Sequence, residues 1–305
     1  MNDYYSVDPA AFETSKELKF FVESFGHHTG RYLLTLPAEW RESVRKHLAT
    51  AKPLEAKRIN EIFAIGKRRG ALWQHPKLLT DFDTQSWIEQ AAEVFRARPE
   101  LVRQFVIRQQ DLDKHISSSQ MPAVSYDDFD ISSNAAEEID ATPEEYLRVS
   151  KMLLAASEEV VMVDPYLDPG DRSRASVLGR FLTQLDSSSI AKTVMVWVRK
   201  SEVAARKQYE RDLRDLLAEL SLKHLRIQVI AVDDRRASDR LHARYLLSVK
   251  GAIQFDWGFI ELNRSKRTSV MPVPLAVHQN LIKKYVGRDN DLSIAWQLSL
   301  ESCEC

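Results

Sequence analysis

The chain of 305 residues contains almost no cysteine, and both cysteines, Cys303 and Cys305, lie among its last three positions. Two cysteines so close together cannot link distant loops, and without a nearby histidine they are too few for a zinc site. The sequence also lacks the run of about 18 apolar residues that a transmembrane helix needs, and it does not start with a secretory signal pattern. These absences predict a cytoplasmic protein that does not contact a membrane and holds no metal.

An excess of charge of one sign is also lacking, because 43 Lys and Arg accompany 44 Asp and Glu, for a formal net charge of −1. This balance excludes a wholly basic nucleic-acid coat, although it permits local patches. Only nine glycines occur, and none forms GxxxxGK[ST] or GxGxxG, so no nucleotide cofactor is predicted from such loops. With 44% hydrophobic residues, six Trp and twelve Phe, the chain must nevertheless fold around a core.

Residues 1–122 predict a mainly α-helical N-terminal domain. Three segments share apolar residues at three- and four-residue spacing: Ala38–Thr50, Leu54–Ile65 and Thr84–Arg96. Between positions 41 and 77, ten Lys and Arg accompany three Asp and Glu, with the densest run at Lys67, Arg68 and Arg69. Such a cluster is either a solvated helix face or a surface that contacts the phosphates of a nucleic acid.

Residues 123–143 predict an acidic linker, because Ser, Pro and acidic side chains dominate there and hydrophobic periodicity is weak. From residue 144 to residue 305 the chain alternates between helical segments and apolar runs. In order, these are helix Glu144–Ala156, strand Val160–Leu167, helix Ala175–Leu185, strand Thr193–Arg199, helix Glu202–Leu220 and strand Arg226–Val232.

Two more strands, Leu241–Val249 and Ala252–Ile260, are predicted to be joined by a tight turn at Lys250 and Gly251. Parallel strands need helical crossovers, whereas a tight turn joins antiparallel strands. The order of elements therefore predicts an α/β fold, with a mostly parallel sheet flanked by helices and one antiparallel edge region.

Polar side chains of this α/β domain could form a compact anion site. His242 and Arg244 stand two positions apart on a predicted strand, so their side chains should project from one face. Asn263 follows the next strand, and Asp164 ends the first strand, at the edge where parallel sheets place their sites. Guanidinium and amide groups hold phosphate oxygens, and an imidazole can attack phosphorus or transfer a proton.

Each of these residues also has a purely structural interpretation. His242 could be an ordinary strand histidine, Asn263 a turn residue, and Asp164, which precedes a proline, the cap of a chain turn. Arg244 could pair with an acid of the preceding loop: Asp233, Asp234 or Asp239. Lys266 and Arg267 suit the rim of a nucleic-acid site and equally suit any surface loop.

The segment Glu144–Val286 resembles the phospholipase D superfamily, in particular its bacterial single-motif, nuclease-like branch. The likeness rests on DPY at 164–166, LHARYLL at 241–247, Gly251, WGF at 257–259 and Asn263. The resemblance implies that His242 is a nucleophile forming a phosphohistidine, that Arg244 replaces the family's phosphate-binding lysine, and that Asn263 matches the downstream asparagine. Because one motif is visible, it also implies a homodimer with one shared site, in which the second His242 protonates the leaving oxygen.

The chain departs from the family pattern at three places. Val249 stands where the motif has an aspartate, Arg244 changes the geometry of the cation, and bulky residues at 259–262 replace small ones. The resemblance therefore leaves two functions open. One is a metal-independent phosphodiesterase, a nuclease acting on DNA or RNA, in bacterial antiphage or restriction defence. The other is a catalytically inert module that binds nucleic acid or a protein partner within a larger defence complex.

In either case, the absence of a membrane-seeking segment and the basic cluster favour nucleic acid over lipid or a small-molecule phosphodiester. The residues expected to bind the nucleic acid are Asp164, Lys266, Arg267, Lys67, Arg68 and Arg69.

Overall fold

A computed structural model describes residues 3–36, 39–48, 53–73, 86–99, 101–108, 110–112, 121–130, 136–187, 192–238, 240–262 and 266–302. The chain divides into two compact units, residues 2–135 and residues 136–305. Each unit is built on a sheet of its own.

A parallel sheet forms the centre of the N-terminal unit. Its strands are β1 (Asp3–Val7), β2 (Arg31–Leu34), β3 (Leu72–Trp73), β4 (Gln104–Ile107) and β5 (Ala123–Ser125). The helices described with it are α1 (Ser15–Glu23), α2 (Trp40–Leu48), α3 (Pro53–Arg68) and α4 (Trp87–Ala97). The strands pair in the order β3-β2-β1-β4-β5, and every pairing is parallel.

The prediction of a mainly α-helical N-terminal domain is therefore wrong. Its three predicted helices do occur, as α2, α3 and α4, but a five-stranded sheet lies among them. The five strands contain only two to five residues each, and most of their side chains are buried. A short strand that is covered on both faces lacks the alternation of apolar and polar residues by which a sequence reveals a strand.

Helices cover both faces of this sheet. Tyr5 and Val7 of β1 share a core with side chains of α1, α2 and α3. Phe105 of β4 contacts α4 instead, because its ring centroid lies 6.3 Å from that of Trp87 and 6.1 Å from that of Phe95. Since β1 lies between β2 and β4, the chain winds outward from β1 in both directions, which makes a doubly wound sheet.

A mixed sheet forms the centre of the C-terminal unit. Its strands are β6 (Glu137–Asp140), β7 (Glu159–Val163), β8 (Lys192–Arg199), β9 (Leu225–Asp233), β10 (Tyr245–Ser248), β11 (Gly251–Phe255), β12 (Arg267–Pro272) and β13 (Ser293–Glu301). Its helices are α5 (Pro143–Ala155), α6 (Arg172–Asp186), α7 (Arg206–Leu220) and α8 (Leu275–Tyr285). The strand order is β13-β9-β8-β7-β10-β11-β12-β6.

The α/β prediction for this unit is confirmed, and its sheet is mixed rather than mostly parallel. β7, β8 and β9 are parallel, as predicted from the helices between them, and β10 and β11 form the predicted hairpin. All other pairings are antiparallel. The added antiparallel strands β6, β12 and β13 alternate between buried and exposed residues, and the first of them lies in sequence that was expected to be unstructured.

The stretch predicted as an acidic linker contributes an edge strand to each sheet. β5 is the last strand of the N-terminal sheet and β6 the last strand of the C-terminal sheet. Acidic residues of β6 form ion pairs: Glu137 binds Arg148 of α5, and Asp140 lies 3.8 Å from the guanidinium of Arg267 on β12. Charged residues on a short edge strand limit pairing with other chains, which explains a composition that resembles a linker.

Candidate functional site

A buried carboxylate organises the carboxyl edge of the C-terminal sheet. β7 ends at Val163, and Asp164 follows with a side chain that is wholly buried. Its Oδ1 accepts a hydrogen bond from the backbone N–H of Tyr166 at 3.0 Å, and its Oδ2 accepts one from the N–H of Phe259 at 2.9 Å. Asp164 was expected to bind substrate, but its position instead joins the loop after β7 to the loop after β11.

Burial raises the pKa of the Asp164 carboxyl, while the two N–H donors and the nearby guanidinium groups of Arg174 and Arg244 oppose that shift. Arg174 of α6 reaches to within 3.6 Å of Oδ2 and is itself only 14% exposed. Each acceptor of Asp164 thus faces a donor, so the carboxylate is a fixed structural element of the edge.

Gly258 permits the close approach of the two loops. Its φ is +78°, and a Cβ atom at this position would lie 2.3 Å from Oδ2 of Asp164 and 3.0 Å from Cγ of Arg244. A side chain here would be strained by both the backbone angle and the contact. Glycine at 258 is therefore required by the geometry around Asp164.

Arg244 is fixed at the same edge by backbone and aromatic contacts. Its guanidinium donates to the carbonyl oxygen of Asp256 at 2.8 Å and lies 5.5 Å from the ring centroid of Tyr166. The described acids of the preceding loop have other partners, since Asp234 binds Arg199 and Asp233 binds Arg235. The third candidate partner of Arg244, Asp239, lies outside the described residues.

His242 is exposed, and the residues around it are anchored. Leu241 donates its N–H to Oδ2 of Asp234 at 2.9 Å and accepts a hydrogen bond at its carbonyl from Arg199 at 2.6 Å. On the other side, the carbonyl of Arg244 accepts from the N–H of Phe255 at 3.0 Å. An exposed imidazole is thus carried by a segment that is fixed at both ends.

The prediction that His242 and Arg244 lie on a strand is wrong, because β10 begins only at Tyr245. Its pairing with β7 starts at Tyr245 and Val163, and β7 cannot extend the ladder beyond its end at the Asp-Pro sequence. The two residues belong instead to an anchored loop at the carboxyl edge of the sheet.

The remaining predicted residues lie at other places. Asn263 is outside the described residues. Lys266 is exposed, and Arg267 donates to the carbonyl of Glu138 at 2.6 Å, so acids of β6 offset part of its charge. Val249 lies in the turn between β10 and β11, at the opposite end of β10 from His242, and is 64% exposed.

The basic cluster belongs to the N-terminal unit. Lys67 and Arg68 end α3 and are exposed, whereas Arg69 is half-buried and donates to the carbonyl of Glu23 at 2.7 Å. Two of the three cations therefore face solvent, and the third stabilises the packing of α3 on α1.

Several residues that build this edge were not predicted from the sequence. Arg199 and Asp234 hold Leu241, and Tyr166 and Arg174 surround the guanidinium of Arg244 and the carboxylate of Asp164. One signal was available, because Arg199 and Asp234 stand at the ends of two predicted parallel strands, where sites gather.

Within the part of the chain that the structure describes, no three His, Cys, Asp or Glu side chains are grouped closely enough to hold a metal ion. Over those same residues, no helix is long and apolar enough to cross a bilayer.

Comparisons with known proteins identify no family. No protein-family model matches the chain, and no curated protein matches it. Among solved structures, the chain is similar to that of TrmBL2, which is described as an archaeal chromatin protein with a novel mode of DNA binding. The sequences are 10% identical over 82% of this chain and 87% of that chain, with a TM-score of 0.27. Since a score this low does not establish a common fold, the likeness carries no argument about function.

Proposed function

We propose that the C-terminal unit is a metal-independent phosphodiesterase that acts on nucleic acid, with His242 as its nucleophile and Arg244 and Asn263 holding the phosphate. The observation that carries the proposal is an exposed imidazole two residues from a fixed guanidinium, at the carboxyl edge of the parallel strands. A preorganised cation beside a nucleophile is the arrangement that phosphoryl transfer requires.

The proposed reaction has two in-line displacements. A ring nitrogen of His242 forms a bond to phosphorus as the bond from phosphorus to the leaving oxygen breaks, and an acid protonates that oxygen. Water then attacks the phosphohistidine, its proton passes to a base, and the freed imidazole leaves. In the phospholipase D arrangement, the second His242 of a homodimer is the acid in the first displacement and the base in the second, so we expect two chains per active unit.

An exposed tryptophan favours nucleic acid as the substrate. Trp257 is 51% exposed and precedes Gly258, whose backbone lies against Asp164 and Arg244. Aromatic side chains beside cations stack unpaired bases, with about 1–3 kcal/mol per base. Trp257→Ala should therefore weaken binding of a single-stranded oligonucleotide by about 5- to 100-fold, as measured by fluorescence anisotropy, without loss of folding.

The deciding experiment is a cleavage assay in EDTA on single- and double-stranded DNA and RNA. Wild type, His242→Ala and His224→Ala are compared, because His224 is another exposed histidine, outside the site, and serves as the matched control. The proposal expects cleavage by wild type and by His224→Ala and none by His242→Ala. If wild type does not cleave, or if all three proteins cleave equally, His242 is not a nucleophile.

A second candidate is a catalytically inert module of the same fold that binds nucleic acid or a protein partner in a defence complex. It is favoured by one observation: among the described residues, none hydrogen-bonds to His242, whereas catalytic histidines are usually oriented by a third group. Such a module would bind equally well with His242→Ala. A steep loss of affinity with added salt would indicate phosphate contacts rather than docking to a protein.

A further inference from the structure

The N-terminal sheet has a topological switch point between β1 and β4. Tyr5 of β1 pairs with Leu33 of β2 on one side and with Gln104 of β4 on the other. The helices that follow β1 and β2 cover one face of the sheet, and α4, which precedes β4, covers the other. With β2 and β3 on one side of β1 and β4 and β5 on the other, β1 and β4 form a switch point, and open α/β sheets bind ligands at the carboxyl ends of such strands.

A cavity of about 510 Å³ opens at this point. It is lined by residues that follow β1 and by residues of α2 and α4: Asp8, Pro9, Ala10, Ser43, Lys46, His47, Trp87 and Gln90. Its size is within the usual range of small-molecule pockets, about 300–1,000 Å³. Five of the eight lining residues have polar or charged side chains, and Pro9 and Trp87 add apolar rings.

One residue of the lining, Asp8, has a carboxylate with unused hydrogen-bonding capacity. Oδ1 of Asp8 accepts a hydrogen bond from the N–H of Ala10 at 2.8 Å, and among the described residues Oδ2 has no donor. Burial raises the pKa of the Asp8 carboxyl, against the opposing effects of the Ala10 N–H and of the Arg108 charge. Hydroxyl groups of a ligand would provide the donors that this carboxylate lacks.

Positive charge lies on the helix that forms one wall of the cavity. Lys46 and His47 of α2 are both exposed there, whereas the nearby Arg108 pairs with Asp111 at 2.7 Å. The half-buried indole of Trp87 forms another wall, and its Nε1 donates to the carbonyl of Leu36 at 2.8 Å. The pocket thus presents an acceptor, a cationic edge and a flat apolar surface to one small ligand.

We propose that this cavity binds a mononucleotide. The ribose hydroxyls would donate to Asp8, the phosphate would face Lys46 and His47, and the base would lie against Trp87. Each of these three contacts matches one chemical part of the ligand to one part of the wall. The proposed site belongs to the N-terminal unit, so it is independent of the function proposed for His242.

Isothermal titration of the full chain with nucleoside 5′-monophosphates tests the proposal. We expect one saturable site per chain, binding about 10-fold weaker or more for adenosine than for AMP, and a similar loss for Lys46→Ala. Lys57→Ala is the matched control, because Lys57 is an exposed lysine of α3 outside the cavity lining. Asp8→Asn should weaken the binding of AMP more than the binding of a dideoxynucleotide that lacks both ribose hydroxyls.

Three outcomes would overturn the site. The first is that no monophosphate binds wild type saturably. The second is that Lys46→Ala and Lys57→Ala bind equally well. The third is that binding persists in Lys46→Ala and disappears in Arg244→Ala, which would place the nucleotide in the other unit. Because Lys46 is exposed, its replacement decides the question even if Asp8→Asn does not fold.

Discussion

In each unit the first parallel strand is followed by an Asp-Pro sequence, and the two aspartates have different surroundings. β1 ends in Val7-Asp8-Pro9 and β7 ends in Val163-Asp164-Pro165. In both, the aspartate Oδ1 accepts from the N–H two residues later, at 2.8 Å for Asp8 and 3.0 Å for Asp164. In both, the aspartate N–H donates to the neighbouring parallel strand.

The difference lies in the second carboxylate oxygen. Oδ2 of Asp164 receives the N–H of Phe259, from 95 positions further along the chain, and faces Arg174. Asp8 lines the cavity of the N-terminal unit, and among the described residues its Oδ2 has no donor. The same tripeptide therefore joins two loops where residues distant in sequence contact its aspartate. Where no such residues contact the aspartate, its carboxylate remains available to a ligand.

The largest expected effect concerns the chain that covers Asp164. Gly258→Ala should lower the free energy of unfolding by about 4 kcal/mol, because it combines a strained positive φ with an overlap against a buried carboxylate. Urea denaturation measures this loss. Gly170→Ala is the control, since its added Cβ would meet the carboxylate ends of the Asp212 and Asp168 side chains, and a comparable loss there would contradict the interpretation.

A second experiment contrasts the two aspartates directly. Asp164→Asn should lower the free energy of unfolding by about 3 kcal/mol at neutral pH, because the amide NH₂ would face the N–H of Phe259 and Arg174 would keep only Asp171 of its two acids. Asp8→Asn should not lower the free energy of unfolding, because Oδ1 can still accept from Ala10 and the cost of burying the charge is removed. If both variants lose the same free energy of unfolding in thermal or urea denaturation, the distinction between the two aspartates is contradicted.

The smallest expected effect is the pH dependence of Asp8. Its folded pKa lies above the unfolded value, so the folded state binds more protons in the window between the two and stability falls as pH rises through it. Asp8→Asn removes this cost. The variant should therefore be as stable as wild type at pH 3 and slightly more stable than wild type at pH 7. If its stability relative to wild type falls between pH 3 and pH 7, the sign of the effect is refuted.

Sequence patterns predicted the elements of the C-terminal unit better than those of the N-terminal unit. Long apolar strands such as Lys192–Arg199 alternate with amphipathic helices, so the hydrophobic pattern of each strand differs clearly from that of the helices beside it in sequence. The sequences DYYSV and QFVI span about one helical turn each, and an apolar run of that length suits a helix or a buried strand equally well.

The candidate site was predicted in part. Asp164 was expected at the carboxyl end of a strand, where the structure has it, whereas His242 and Arg244 were expected on a strand and lie in the loop before β10. Three features could not be predicted, because each depends on groups far apart in the chain. They are the burial of Asp164, the contacts of Arg199 and Asp234 with the residue before His242, and the position of Asp8 in a cavity. The Val-Asp-Pro sequence at Asp8, which is repeated at Asp164, was a local signal of the turn after β1.

Local sequence specifies the helix positions, the hairpin, and an aspartate that caps the turn after β1 and after β7. These follow from hydrophobic period and from short-range hydrogen bonds, which act over a few residues. Tertiary contacts specify that Oδ2 of Asp164 is covered by Phe259 and Arg174 and that Asp8 lines a cavity. That choice depends on which distant segments meet there, and no short-range rule specifies such contacts.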